Sequence, residues 1–102
     1  MNNVYIMSAN RSAIGGFGGT LKNHCPVDLG TLVAKEAIAR SGFEANEVEH
    51  AVFGNVIHTE PRDMYVSRVI ALQAGMDKAS AALTVNRLCG SGLQAIVSAS
   101  QI

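Results

Sequence analysis

The chain has 102 residues with no formal net charge at pH 7, 48% of them hydrophobic and 16% charged. That length holds at most one small domain, which buries about 65% of the surface its unfolded chain exposes. Zero net charge leaves no electrostatic footprint for nucleic acid, and no apolar run nears the ~20 residues of a membrane-spanning helix. The start lacks a basic n-region and a cleavage site, so no secretory signal is expected. Two cysteines in a Gly/Ala-rich chain make no disulfide framework, and the expectation is a cytoplasmic protein with reduced thiols.

Val4 to Met7 is a short apolar run that predicts a first buried strand. It leads into a glycine-dense loop, Arg11-Ser12-Ala13-Ile14-Gly15-Gly16-Phe17-Gly18-Gly19. Asp28 precedes a helical pattern with Leu29, Leu32, Val33 and Ala37 on one face, punctuated by Pro26 before and Gly42 after. A polar connection, Glu44 to Glu49, leads to a second strand over Ala51 to Ile57, apolar enough to be covered on both faces. Glu60, Arg62 and Asp63 read as a solvated turn. Tyr65, Val66, Val69, Leu72 and Gln73 follow helical spacing up to a stop at Gly75. Ala82 to Asn86 predicts a third, buried strand and Gly90 to Ile102 a third helix. The order βαβαβα is that of an α/β fold with a mostly parallel sheet, right-handed crossovers and covering helices. The last helix stops without a cap, so the chain reads as a fragment.

Cys89 is the most informative residue. It stands where a strand gives way to a small-residue helix, and a helix N-terminus favours the reactive thiolate. Gly90 and Gly92 leave room for a bulky electrophile near the backbone. A buried small hydrophobe is the alternative for any free cysteine. The run Gly90-Ser91-Gly92-Leu93-Gln94-Ala95 also fits the dinucleotide fingerprint G-x-G-x-x-A, which would make Cys89 incidental. Gly16-Phe17-Gly18-Gly19 lacks both the third glycine of that fingerprint and the lysine of a P-loop. Ser91 is no hydrolase elbow, because Cys89 stands two places before it. His24, His50 and His58 have no metal-ligand spacing, so no metal is expected. Cys25 has no positive partner in view.

Taken together, these residues resemble the start of a thiolase, the acetyl-CoA acetyltransferase or β-ketothiolase family, over the whole chain. The glycine-dense loop, Phe53-Gly54-Asn55-Val56 and above all Asn86-Arg87-Leu88-Cys89-Gly90-Ser91-Gly92-Leu93-Gln94-Ala95 carry the likeness. Thr59 to Tyr65 is similar to bacterial β-ketothiolases that accept chains longer than acetyl. The resemblance implies an acyl-CoA C-acyltransferase of fatty acid metabolism in which Cys89 is the nucleophile, with its backbone N–H as an oxyanion donor and Gly90 and Gly92 beside the acyl group. It implies coenzyme A thioesters as substrates, no permanently bound cofactor, and a homodimer or homotetramer with Ala82 to Asn86 at the subunit contact. It also implies that residues 1–102 are the front part of the N-terminal domain of a layered αβαβα parent. The parent's loop domain and C-terminal domain, with their Gly-His-Pro and Cys-x-Gly segments, are missing, so the fragment alone is expected to be inactive. A ketoacyl-synthase-like condensing enzyme and a non-catalytic acyl-CoA-binding relative are the alternatives.

Overall fold

The computed structural model describes residues 2–102. Helix α1 runs from Pro26 to Ser41, strand β1 from His50 to Gly54, helix α2 from Val66 to Gln73, strand β2 from Ala81 to Val85 and helix α3 from Ser91 to Ser100. Single 3-10 turns at Ala45–Glu47 and Pro61–Tyr65 precede β1 and α2. β1 and β2 pair in parallel, with His50 opposite Ala81 and Gly54 opposite Val85. The α/β class and the parallel sheet are as the sequence predicts. Among the described residues, however, the sheet has two strands rather than three.

The missing strand is Val4 to Met7, which takes no regular structure. Its side chains are well exposed, Ile6 at 80%. An isolated apolar run gains strand structure only from a ladder partner and a covered face, and this one has neither. What holds the segment is polar instead. The Ser8 hydroxyl donates to the carbonyl of Ala37 and the Asn10 amide to that of Val33, so it lies tied to the last turns of α1.

α1 begins where Pro26 occupies the first turn, a position at which the lost N–H has no helical partner. It ends at Gly42 with φ 83°, a left-handed C-cap that glycine takes without steric cost. The buried stripe differs from the predicted one: Val27 is fully buried and Ala34 packs beside it, while Leu32 is 64% exposed. α2 starts at Val66 rather than Tyr65, and its buried residues are Val66, Ser67, Ile70 and Ala71.

Two small clusters make the core. Val27, Val66 and Ile70 join α1 to α2, and Ala51, Ala71 and Met76 join α2 to the sheet. Phe53 packs against both. Side chains alternate along β1, so Ala51 and Phe53 face α2 whereas Val52 and Gly54 line the side on which α3 lies. β1 stops at Gly54, leaving Val56 and Ile57 exposed. β2 is not the buried strand its composition predicts, for Ala81, Ala82 and Leu83 are exposed along an edge. α3 spans Ser91 to Ser100 and presents only Ser91 and Ala95 to the interior.

Candidate active site

In a parallel pair both carboxyl ends open to the same side, where loops gather functional residues. Here those loops are Asn55 to Glu60 after β1 and Asn86 to Gly90 after β2. They are joined at their roots, since the N–H of Asn55 donates to the carbonyl of Val85 at 3.0 Å.

The second loop carries Cys89. The thiol is free and exposed, so the structure does not bury it as a small core residue. Gly90 is the N-cap of α3, which places Cys89 one residue ahead of the helix cap. Leu88, just before it, has φ 47°, the one non-glycine residue with positive φ among those described. A leucine there carries local strain of about 1–2 kcal/mol, so other contacts must hold the turn.

Those contacts are visible. The N–H of Leu88 donates to the Asn86 side chain at 3.0 Å, and those of Gly90 and Ser91 to the carbonyls of Arg87 and Leu88. The hydroxyl of Ser91 accepts from the N–H of Arg87 at 2.8 Å and donates to the carbonyl of Leu88 at 2.7 Å. Ser91 is 5% exposed, the best buried residue of α3. Among the described residues the N–H of Cys89 finds no acceptor.

Gly90 has φ −88°, so its backbone makes no demand for glycine. Around Gly92 a Cβ would meet nothing within 4 Å. Gly54 is the tight position. A Cβ on it would stand 2.7–2.8 Å from the backbone and Cβ of Ser91, closer than such atoms approach. The absence of a side chain at the end of β1 thus lets the first turn of α3 lie directly on the strand.

The first loop corrects the sequence reading most strongly. Asp63 belongs to no solvated turn; it is fully buried. Its Oδ2 accepts from the N–H and hydroxyl of Thr59 at 2.7 and 2.8 Å and from the N–H of Glu60 at 3.2 Å. Oδ1 has no partner among the described residues. Burial pushes this carboxyl up, but the Thr59 and Glu60 donors, with the field of His58, outweigh it and hold the acid below its usual range. Asn55 bridges to His58 Nδ1 at 2.9 Å and to the carbonyl of Asp63 at 3.1 Å. Glu60 pairs with Arg62 at 2.7 Å, and its hydrogen bond is the main cause that raises the guanidinium pKa further. Arg62 also reaches Cys25 Sγ at 3.7 Å, so Cys25 does have a positive neighbour.

Spacing signalled Cys89, but Ser91, Gly54 and Asp63 escaped it. Their roles depend on what the fold brings against them, and only a helix closing onto a strand, or a carboxylate folding back over its own turn, makes them visible.

Residues 4–102 match the model of the thiolase N-terminal domain. The chain is 59% identical to the beta-ketothiolase BktB of Cupriavidus necator over 98 residues, which are 96% of this chain and 25% of that protein. Among solved structures it superimposes on the Bacillus anthracis acetyl-CoA acetyltransferase with TM-score 0.87 at 42% identity, covering 93% of this chain and 24% of that one. On the Acat5 thiolase of Ascaris suum in complex with coenzyme A it has TM-score 0.88 at 33% identity, over 95% and 25% of the two chains. The chain thus spans about a quarter of the length of these relatives. On the match across nearly all its residues, it belongs to the thiolase N-terminal domain family.

Proposed function

We propose that this chain contributes the nucleophile of an acyl-CoA C-acyltransferase, and that Cys89 is that nucleophile. The carrying observation is the exposed thiol on a strained turn at the carboxyl ends of two parallel strands, beside a free backbone N–H. Relatives named as thiolase and acetyl-CoA acetyltransferase, one of them solved with coenzyme A, support the substrate class.

In the proposed first step the Cys89 thiolate attacks the thioester carbonyl of an acyl-CoA. A carbon–sulfur bond forms, and the oxyanion that develops meets the N–H of Cys89. Collapse breaks the bond to the CoA sulfur, which leaves as thiolate and takes a proton. In the synthetic direction the α-carbanion of acetyl-CoA, after loss of a proton to a base, attacks the acyl-enzyme and releases a 3-ketoacyl-CoA and the free Cys89 thiolate. In thiolysis the same bonds form and break in reverse order. Dividing the carbon–carbon step in two lowers each barrier.

Residues 1–102 contain no Gly-His-Pro and no Cys-x-Gly segment. They thus lack the groups that the thiolase resemblance assigns to proton transfer, and the chain alone is proposed to accept an acyl group without turning over. Ala81 to Leu83 on the exposed edge of β2 support a contact there between subunits of a homo-oligomer.

Intact mass under denaturing conditions, after incubation with acetyl-CoA, tests the reading. One acetyl group mapped to Cys89 and absent from Cys89→Ala is expected, with no release of acetoacetyl-CoA. An unmodified chain, or an adduct confined to Cys25, would overturn it.

A further inference from the structure

Ser91 is not part of the chemistry proposed for Cys89, yet its hydroxyl is engaged on both sides within the loop that presents the thiol. It accepts from the N–H of Arg87 and donates to the carbonyl of Leu88, closing a ring of backbone around the residue before Cys89. Leu88 within that ring is left-handed at φ 47°. Behind Ser91 the helix rests on bare backbone, because Gly54 offers no side chain to hold it away. The ring closes through Ser91 Oγ, while the backbone and Cβ of the same residue are what Gly54 lets approach the strand.

We propose that Ser91 is a positioning residue for Cys89: with its backbone and Cβ seated against Gly54, its hydroxyl clamps Leu88 in the left-handed turn that sets the thiol ahead of helix α3. The inference rests on the reading of Cys89 as an acyl-accepting nucleophile, but its mechanical part stands on the loop alone. Without the clamp a leucine reverts to ordinary backbone angles, and the residue that follows swings with it. Displacement of a reacting atom by about 1 Å costs up to about 100-fold in rate. Leu88 itself makes no demand on the core, since its side chain is 69% exposed.

The test follows Cys89 in the 102-residue chain by peptide mapping, which separates it from Cys25. Two rates are measured at one fixed pH: alkylation by iodoacetamide, and acetylation by acetyl-CoA. In Ser91→Ala alkylation is expected to slow several-fold, because the thiol leaves the exposed position that the turn gives it, and acetylation to slow about tenfold, within the range for a misplaced reacting atom. Adding Leu88→Gly to Ser91→Ala is expected to restore most of both, because glycine takes the left-handed turn unaided. Leu88→Val, an exposed replacement that resists that turn, is expected to reproduce the Ser91→Ala loss of rate and serves should Ser91→Ala not fold. Ser100→Ala at the far end of α3 is the control.

An unchanged alkylation rate in Ser91→Ala, or a loss that Leu88→Gly does not reverse, overturns the proposal. The two readings separate cleanly. If alkylation shows the expected loss and rescue but the parent chain is never acetylated, the clamp stands and the acyltransferase reading falls. If it is acetylated and Ser91→Ala reacts as fast, the clamp falls and the nucleophile stands.

Discussion

The carboxylate of Asp63 is solvated by its own loop: three donors from Thr59 and Glu60 converge on one oxygen in a place water does not reach. Because the folded acid is held below its unfolded value of about 3.9, the ionised form favours the fold. That contribution is present above the unfolded pKa and is lost as pH falls through the folded one. Asp63→Asn brings an amide towards the same donors, leaving buried groups without partners. It is expected to destabilise the chain by about 1–3 kcal/mol near neutrality. The difference should shrink as pH falls from the unfolded value through the lower folded one, where the parent acid also takes up its proton; urea midpoints at neutral and acid pH check both. The sequence placed Asp63 among charges in a turn, and charge density alone reads as solvated. Its burial follows from the 3-10 turn at Pro61–Tyr65, which folds the side chain inward beneath Thr59. Cys89 was legible for the opposite reason, since a thiol bounded by a strand on one side and glycines on the other needs no tertiary contact to be noticed.

At the scale of elements, punctuation was read well and faces were read poorly. Pro26 and Gly42 delimit α1 as their backbone chemistry dictates, and the parallel order of β1 and β2 follows from the helix between them. The faces went wrong where two apolar stripes competed. Leu32 belonged to the broader stripe of α1, but α2 packs on the side of Val27 and Ala34. Helix α2 was legible in its extent, yet its buried Ser67 bridges β1 and β2 by accepting from the N–H of Phe53 and donating to the carbonyl of Leu83, a role periodicity does not disclose. The C-cap of α1 gives a prediction at this scale. Gly42→Ala at φ 83° is expected to lower stability by roughly 1 kcal/mol, measurable as a reduced thermal midpoint with helix content otherwise retained.

At the scale of the whole molecule, apolar surface outruns core. Ile6, Ile14, Phe17, Leu93 and Ile96 all stand more than half exposed. An open cavity lies between Tyr5 and Ile6, Val52 and Gly54 of β1, and Ala95 and Ile96 of α3. Two core clusters of three buried residues each supply little of the burial on which a domain of this size depends. The chain by itself is therefore expected to unfold in urea with a free energy under about 5 kcal/mol and to bind an apolar dye in its native state. A high midpoint without dye binding would count against that view. The sequence suggested three strands because it encodes the apolar run of the first. Whether such a run becomes a strand depends on partners that lie outside any local pattern.

The contact between Arg62 and Cys25 gives the chain a pair of internal clocks. One thiol is exposed on its turn, while the other sits half covered at the N-cap of α1 beneath a guanidinium borne by the turn before α2. A single thiol reagent therefore times two separate events. Cys89 labels at the pace of its loop, and Cys25 more slowly, at the pace at which Arg62 swings off its sulfur. The ratio of the two adducts in one spectrum reports how often that cover lifts, with no dye, tag or engineered probe.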